Sequence, residues 1–185
     1  MPRVVVFNSV SVDGFFTTPD GDLTWAHKND PEWNAFVGEN AGGSGRLLFG
    51  RVTYDMMVSY WPTPAAAKND PAVAEGMNNL QKIVVSRTLD KVAWKNTTLL
   101  KGDLATGVGK LKKEPGDDLV ILGSGSIVGQ LARAALIDEY QLITVPVVLG
   151  KGRTLFEGID ESLALRRTRS RTFENGNVLN CYEPG

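Results

Sequence analysis

"RLLFGRVTYDMMVSYW", residues Arg46–Trp61, joins two kinds of chain at a glycine and an arginine. Arg46–Gly50 is a short apolar run, the composition of a strand buried on both faces. Val52–Trp61 is helix-like and carries a threonine in its first turn. A strand that hands over to a helix within two residues is half of an α/β unit. Gly50 lets backbone approach a ligand closely. The unbonded N–H groups at a helix start favour an anion, and Thr53 adds a hydroxyl as a further donor. Arg51 can clamp a phosphate with two donors.

The same handover recurs further along. "QKIVVS" (Gln81–Ser86) is a strand followed by Arg87. "DLVILGSGS" (Asp118–Ser126) is a strand running into glycines, with a helix expected over Ile127–Ala135. Ligands of open α/β sheets sit beyond the carboxyl ends of the strands. Each signal is weak alone, since Gly-Arg after a strand is commonly just a turn. Gly123-Ser124-Gly125 is not a G-x-G-x-x-G fingerprint either, because Val128 stands where the last glycine would be. Three such ends on α/β units suggest one extended ligand with several phosphates. Two arginines suggest more negative charge than a pyrophosphate, as on a 2′-phosphorylated dinucleotide.

Upstream, "RVVVFNSVSVDG" (Arg3–Gly14) opens with a buried strand, and "TTPDGD" (Thr17–Asp22) is turn chemistry. Asp30 is the expected N-cap of the first helix, with Pro31 at its first position. Pro62–Asp70 reads as a loop and Pro71–Met77 as a short helix. Thr97–Asp103 is a short strand, with a helix over Leu104–Lys113. Asp138–Gly150 is a strand with Pro146 near its end. In the tail, Leu163–Phe173 and Val178–Glu183 flank Asn175-Gly176, the strongest short hairpin signal. The expected fold is a three-layer α/β/α mixed sheet, mostly parallel, with a C-terminal antiparallel hairpin. It forms one domain over residues 1–185.

Composition bounds the function. The chain has 185 residues, 42% apolar and 22% charged, with a net charge of −1. No global basic field holds nucleic acid. Cys181 is the one cysteine and His27 the one histidine, which leaves no thiolate or imidazole metal cluster within one chain. No apolar run reaches the roughly 18 residues a membrane helix needs, and Met1 leads straight into a strand with no signal peptide. The expectation is a cytoplasmic protein.

These motifs resemble the dihydrofolate reductase-like superfamily, and within it the riboflavin-biosynthesis reductase (RibD C-terminal domain) family and its stand-alone members. The residues that carry the resemblance are Ser11-Val12-Asp13-Gly14, Gly50–Asp55, Val84–Thr88, Gly123–Ser126, Leu136–Glu139 and Pro146–Phe156. They keep the family's order along nearly the whole chain. The resemblance implies NADPH as cofactor. It sets Gly50, Arg51 and Thr53 on a phosphate-binding turn, and Ser86 and Arg87 beside the adenosine 2′-phosphate. Gly123, Ser124, Gly125, Ser126 and Ile127 fall on the turn facing the pyrophosphate. One departure is Gly123-Ser124, where dihydrofolate reductases have Gly-Gly, often joined by a cis peptide. A non-proline cis bond costs roughly 2.5–4 kcal/mol, so none is assumed here.

Two carboxylates compete for the catalytic role. Asp13 matches the position of a functional aspartate in the riboflavin-type reductases. Glu32, in the first helical turn, falls where dihydrofolate reductases hold their pterin-binding acid. Each has a structural alternative: a local Asp-Gly turn for Asp13, and a dipole-favoured helix start for Glu32. Asp13 is the first choice, with its carboxylate facing the pocket. The tryptophans and Tyr54 are read chiefly as core. Lys151-Gly152-Arg153 is read as a loop whose cations could alternatively meet a substrate phosphate. The expected function is an NADPH-dependent reductase of a small heterocycle, with 5-amino-6-(5-phosphoribosylamino)uracil as the reference substrate. The alternatives are pterin reduction with Glu32 as the acid, and a nucleotide-binding sensor without turnover. The zinc deaminase signature that accompanies this domain in bifunctional enzymes is missing from the sequence. A homodimer is expected, with the apolar Ile143–Leu149 stretch as its face.

Overall fold

In the computed structural model, which describes residues 1–27 and 30–185, every expected strand is found, and the strand before Gly50 lies inside an eight-stranded sheet. The elements in chain order are β1 (Val4–Ser11), β2 (Phe15–Thr17), a 3-10 turn (Thr24–Ala26), α1 (Pro31–Gly42), β3 (Arg46–Gly50) and α2 (Arg51–Tyr60). Then come α3 (Pro64–Asn69), α4 (Pro71–Asn79), β4 (Gln81–Val85), β5 (Thr97–Leu100), α5 (Leu104–Leu111), β6 (Leu119–Leu122) and α6 (Gly125–Arg133). The chain ends with β7 (Glu139–Val145), β8 (Arg153–Thr154), β9 (Leu165–Thr172) and β10 (Val178–Pro184).

The sheet order is β5-β4-β3-β6-β1-β7-β10-β9. The strands from β5 through β7 all pair in parallel. The terminal hairpin adds β10 against β7 and β9 against β10, both antiparallel. The mixed, mostly parallel sheet is therefore as the sequence predicts. Side chains alternate across it. Val4, Val6, Leu48 and Ile121 point to a core with Leu104 and Val108 of α5 and Ile127 and Leu131 of α6. The opposite face carries Leu47, Phe49 and Val84 under Tyr54 of α2 and Met77 of α4. On that side Trp33 of α1 also packs on Ile143, Val145, Phe173 and Leu179. Burial on both faces is why these strands read as continuous apolar runs.

Several boundaries differ from expectation for physical reasons. Pro62–Asp70 is not all loop: Thr63 caps α3, accepting from the Ala66 N–H at 3.3 Å, and Pro64 takes the first helical position. β6 stops at Leu122 because Gly123 and Ser124 have positive φ of 57° and 61°, and α6 then starts at Gly125 rather than Ile127. β7 stops at Val145, before Pro146, so the loop to β8 is longer than expected. The Ile143–Leu149 stretch, the expected dimer face, is only partly exposed. Ile143 and Val145 are fully buried within the chain, and only Val148 of that stretch is a large exposed apolar residue. Outside the main sheet, β2 and β8 form a short antiparallel pair beside the carboxyl ends of the central strands. No described helix is long and apolar enough to cross a membrane.

Candidate active-site groove

The glycines and arginines at the ends of β3, β4 and β6 converge on one groove. Gly50 is the N-cap of α2 in an extended conformation and makes no side-chain cap, so the first N–H groups of α2 depend on other acceptors. Its own N–H donates to Ser124 Oγ at 3.0 Å, which ties the end of β3 to the turn after β6. Arg51 reaches from α2 to the end of β4. Its Nη1 donates to Thr88 Oγ1 at 3.2 Å and its Nε pairs with Asp55 at 3.3 Å. Ser86 is buried and accepts from the N–H groups of Thr88 and Leu89 at 3.2 and 3.0 Å, so its oxygen shapes the turn that carries Arg87.

The turn after β6 is more tightly specified. Asn8, a buried residue of β1, holds Gly123 through both atoms of its amide. The Gly123 N–H donates to Asn8 Oδ1 at 2.6 Å, and Asn8 Nδ2 donates to the Gly123 carbonyl at 3.2 Å. Ser124 follows in the left-handed region, where its hydroxyl donates to the Leu122 carbonyl at 3.1 Å and stands 3.0 Å from Thr53 Oγ1. No described peptide bond is cis, so the Gly123-Ser124 link is trans. A side chain at Gly125 is excluded, since a Cβ would lie 2.8 Å from both the Phe16 ring and the Thr154 carbonyl. Gln130 steadies the start of α6 by donating to the Ser126 carbonyl at 3.0 Å.

Two cavities meet along these turns. The outer one, about 480 Å³, is lined by Gly50, Arg51, Ser86, Arg87, Ser126 and Ile127, with Asp103 of the α5 N-cap across from them. The inner one, about 170 Å³, is lined by Thr53, Gly123, Ser124 and Gly125, together with Phe16, Leu23, Met56 and Arg153. They share Gly50, Arg51 and Ser126. Every residue that the sequence assigns to a dinucleotide thus lines one of the two. The outer cavity offers cations and open helix N–H groups. The inner one offers apolar walls from Phe16, Leu23 and Met56.

The carboxylates lie elsewhere. Asp13 does not face either cavity, contrary to expectation. Its Oδ1 accepts from the Ser11 hydroxyl at 2.6 Å and the Leu149 N–H at 3.1 Å, and its Oδ2 from the Gly150 N–H at 2.7 Å. The Ser11 hydroxyl, followed by those two amides, lowers its pKa to about 2. The loop after Pro146 supplies donors that the turn after β1 lacks, and the carboxylate turns to them. Asp13 therefore locks the loop before β2 to the loop before β8. Glu32 lines neither cavity: its Oε1 accepts from Arg171 Nη2 at 2.8 Å, and that guanidinium lies over Phe173 and Phe36 at 4.7 and 5.4 Å. Asp30 caps α1 as predicted, accepting from the Glu32 N–H at 2.8 Å. Its second oxygen accepts from the Asn175 N–H at 3.1 Å, which pins the terminal hairpin to α1.

Asn8, Phe16, Leu23, Met56, Asp103 and Gln130 are groove residues that sequence reasoning missed, whereas Arg153, which lines the inner cavity, belongs to the loop whose cations that reading offered to a substrate phosphate. Asn8 alone left a signal, as an amide inside an otherwise apolar strand.

Comparisons with known proteins bear on the fold and the family. The uncharacterized protein YyaP of Bacillus subtilis (strain 168) is 27% identical over 181 residues, covering 97% of this chain and 94% of its own. A protein of Shewanella sp. PV-4 assigned to riboflavin biosynthesis matches with a TM-score of 0.74 at 22% identity, covering 99% of both chains. Dihydrofolate reductase of Enterococcus faecalis, in a complex with NADP(H), matches with a TM-score of 0.66 at 15% identity, over 99% of this chain and 96% of that one. At these identities the two structures establish a shared fold, which is dihydrofolate reductase-like. The sequence model of the RibD C-terminal domain matches residues 2–179, and this chain belongs to that family.

Proposed function

We propose that the chain is an NADPH-dependent reductase of a small planar heterocycle, of the kind represented by 5-amino-6-(5-phosphoribosylamino)uracil reduction. The observation that carries this reading is the joined pair of cavities at the strand ends. Arg51 and Arg87 line the outer one, and the starts of α2 and α6 meet where the two connect. Cations and unbonded N–H groups suit a phosphorylated dinucleotide. NADPH, when bound, supplies the hydride. The protein's part is to align the ring that gives it and to shape the space beside it. Phe16, Leu23 and Met56 wall that inner space.

In this reading Asp13 is a positioning residue. It joins the loops before β2 and β8, and those strands carry Phe16 and Arg153 into the inner cavity. Glu32 holds α1 to β9 through Arg171 and takes no part in the chemistry. The test is oxidation of NADPH by the purified protein across a panel of pyrimidine and pterin substrates, followed at the nicotinamide absorbance. Turnover of a pyrimidine supports the proposal. Turnover of dihydrofolate alone moves the assignment to a pterin reductase. Tight NADPH binding with no turnover on any heterocycle leaves a nucleotide sensor.

A further inference from the structure

Helix α2 is apolar on two faces, and the core takes only one of them. Tyr54 is buried, and Met57, Val58 and Trp61 pack with it against Phe49 and Val84 of the sheet. Val52, Met56 and Tyr60 follow one another at every fourth position, which stacks them along a separate face. They are 72%, 37% and 36% exposed. The outward face of a surface helix is ordinarily polar, so this one is out of place. Among the described residues seven large apolar side chains are exposed, and these three are the only ones that share an element. The face begins at the groove. Val52 and Met56 line the inner cavity with Phe16 and Leu23, and Tyr60 lies one turn beyond them. The Tyr60 ring makes a T-shaped contact with Trp61, the ring centres 5.0 Å apart.

We infer that this face is part of the substrate site, and that the heterocycle reduced here carries an aryl substituent that leaves the inner cavity along α2. The inference deepens the reductase reading and rests on it. It names a substrate class that differs from the reference pyrimidine, whose substituent is a sugar phosphate. Contiguous apolar surface exposed beside a cavity is characteristic of a binding groove. Met56 and Tyr60 offer a thioether and an aromatic ring, and both make favourable contacts with aromatic groups beyond the area they bury. The three side chains bring no charge to meet a phosphate. The cations that line the cavity are engaged elsewhere: Arg51 by Asp55 and Thr88, and Arg153 by Glu157 at 3.1 Å. The helix rises about 6 Å from Met56 to Tyr60, so the stretch beyond the cavity is short.

The experiment measures binding of two compounds by calorimetry, with NADP⁺ saturating. Both are 5,6-diaminouracils substituted on the 6-amino nitrogen, one with a ribityl group and one with a benzyl group. The wild type is expected to bind the benzyl compound about 10-fold more tightly, the size expected for laying one ring on apolar surface. Tyr60→Ser should cut that preference to about threefold, and Tyr60→Ser with Met56→Ser should bring the two compounds to within about twofold. Tyr60→Phe keeps the ring and should keep the preference. A wild type that binds the ribityl compound as tightly as the benzyl one overturns the inference and leaves the reductase reading standing. So does a benzyl preference that survives the double substitution. A Tyr60→Ser protein that scatters light as a single chain where the wild type is a dimer, with its preference unchanged, assigns the face to a second copy and overturns the inference as well. Failure of both compounds to bind overturns it too. The reductase reading itself falls only if no heterocycle of the panel is turned over.

Discussion

Arg51 is positioned before any ligand arrives, because Asp55 and Thr88 hold its guanidinium between α2 and the end of β4. Both contacts are exposed, and a surface pair of this kind contributes little to stability. The residue is thus free to act on a ligand. If it meets a 2′-phosphate, each charge-assisted bond contributes roughly 1.5–3 kcal/mol. Arg51→Ala should then weaken NADPH about 10-fold or more and leave NADH nearly unchanged. Fluorescence titration of both cofactors checks this, and equal losses would remove the 2′-phosphate from its role. Asp13 supports a different expectation. Its pKa is lowered to about 2 from 3.8, first by the Ser11 hydroxyl and then by the Leu149 and Gly150 amides. A lowered folded-state pKa gives stability that is present above the unfolded value and is lost as pH falls through the folded one. The wild type should therefore melt above Asp13→Asn at neutral pH. The gap should close as pH falls from 3.8 toward about 2. A melting difference that stays constant to pH 2 would show that the carboxylate's charge contributes nothing there.

At the level of elements, the ends of the helices decide more than their interiors. Lys82 is the clearest case. It is a lysine with 1% exposure in a central strand, a place where an unpaired charge is very costly. Its Nζ donates to the carbonyls of Met77, Asn78 and Leu80 at 2.9, 3.3 and 2.7 Å, and it sits 4.4 Å from the centre of the Trp94 ring. Burial, with Lys95 nearby, lowers its pKa to about 8, so the ammonium remains charged at neutral pH. It therefore closes the carboxyl end of α4, whose last carbonyls have no partner within the helix. Lys82→Met keeps the apolar stem and removes the donor. It should lower stability by about 1–3 kcal/mol, the cost of leaving buried carbonyls unsatisfied. Urea unfolding measures it, and an unchanged midpoint would mean that water replaces the amine. Such caps also explain what the sequence concealed. The strand runs were legible because burial on both faces makes them uniformly apolar. Pro64 looked like loop punctuation because proline serves both a turn and a first helical turn. Asn8 could be seen as odd but not understood, because its partner Gly123 is 115 residues away.

Over the whole molecule, the groove was legible because its residues are local: each turn directly follows its strand, and parallel strands bring their carboxyl ends together. The carboxylates were not, because their partners come from distant loops, Leu149 and Gly150 for Asp13 and Arg171 for Glu32. Alternation along β7 hides Ile143 and Val145 from the surface and leaves Val148 as the large exposed apolar residue of the expected dimer stretch. The places where a second copy could join are now fewer. β9 is one edge of the sheet, and it carries Arg166, Arg167, Arg169 and Arg171 in an exposed row. Pairing two such edges would bring like charges together, which is how natural sheets block edge association. The loops beyond β1 and β7 offer the alternative. Val12 and Val148 are 61% and 68% exposed, and the Val12 N–H donates to the Val147 carbonyl at 2.9 Å, so the two loops present their valines together. A two-fold axis through this patch would bury each valine against its counterpart. We therefore expect a homodimer with Val12 and Val148 at its centre. Light scattering at micromolar concentration should give about twice the 20.1 kDa chain mass. Val148→Asp sets two carboxylates against each other across the axis and should give the single-chain mass. A wild type that scatters as one chain at every concentration would remove the dimer. A Val148→Asp protein that still dimerises would move the interface to another face.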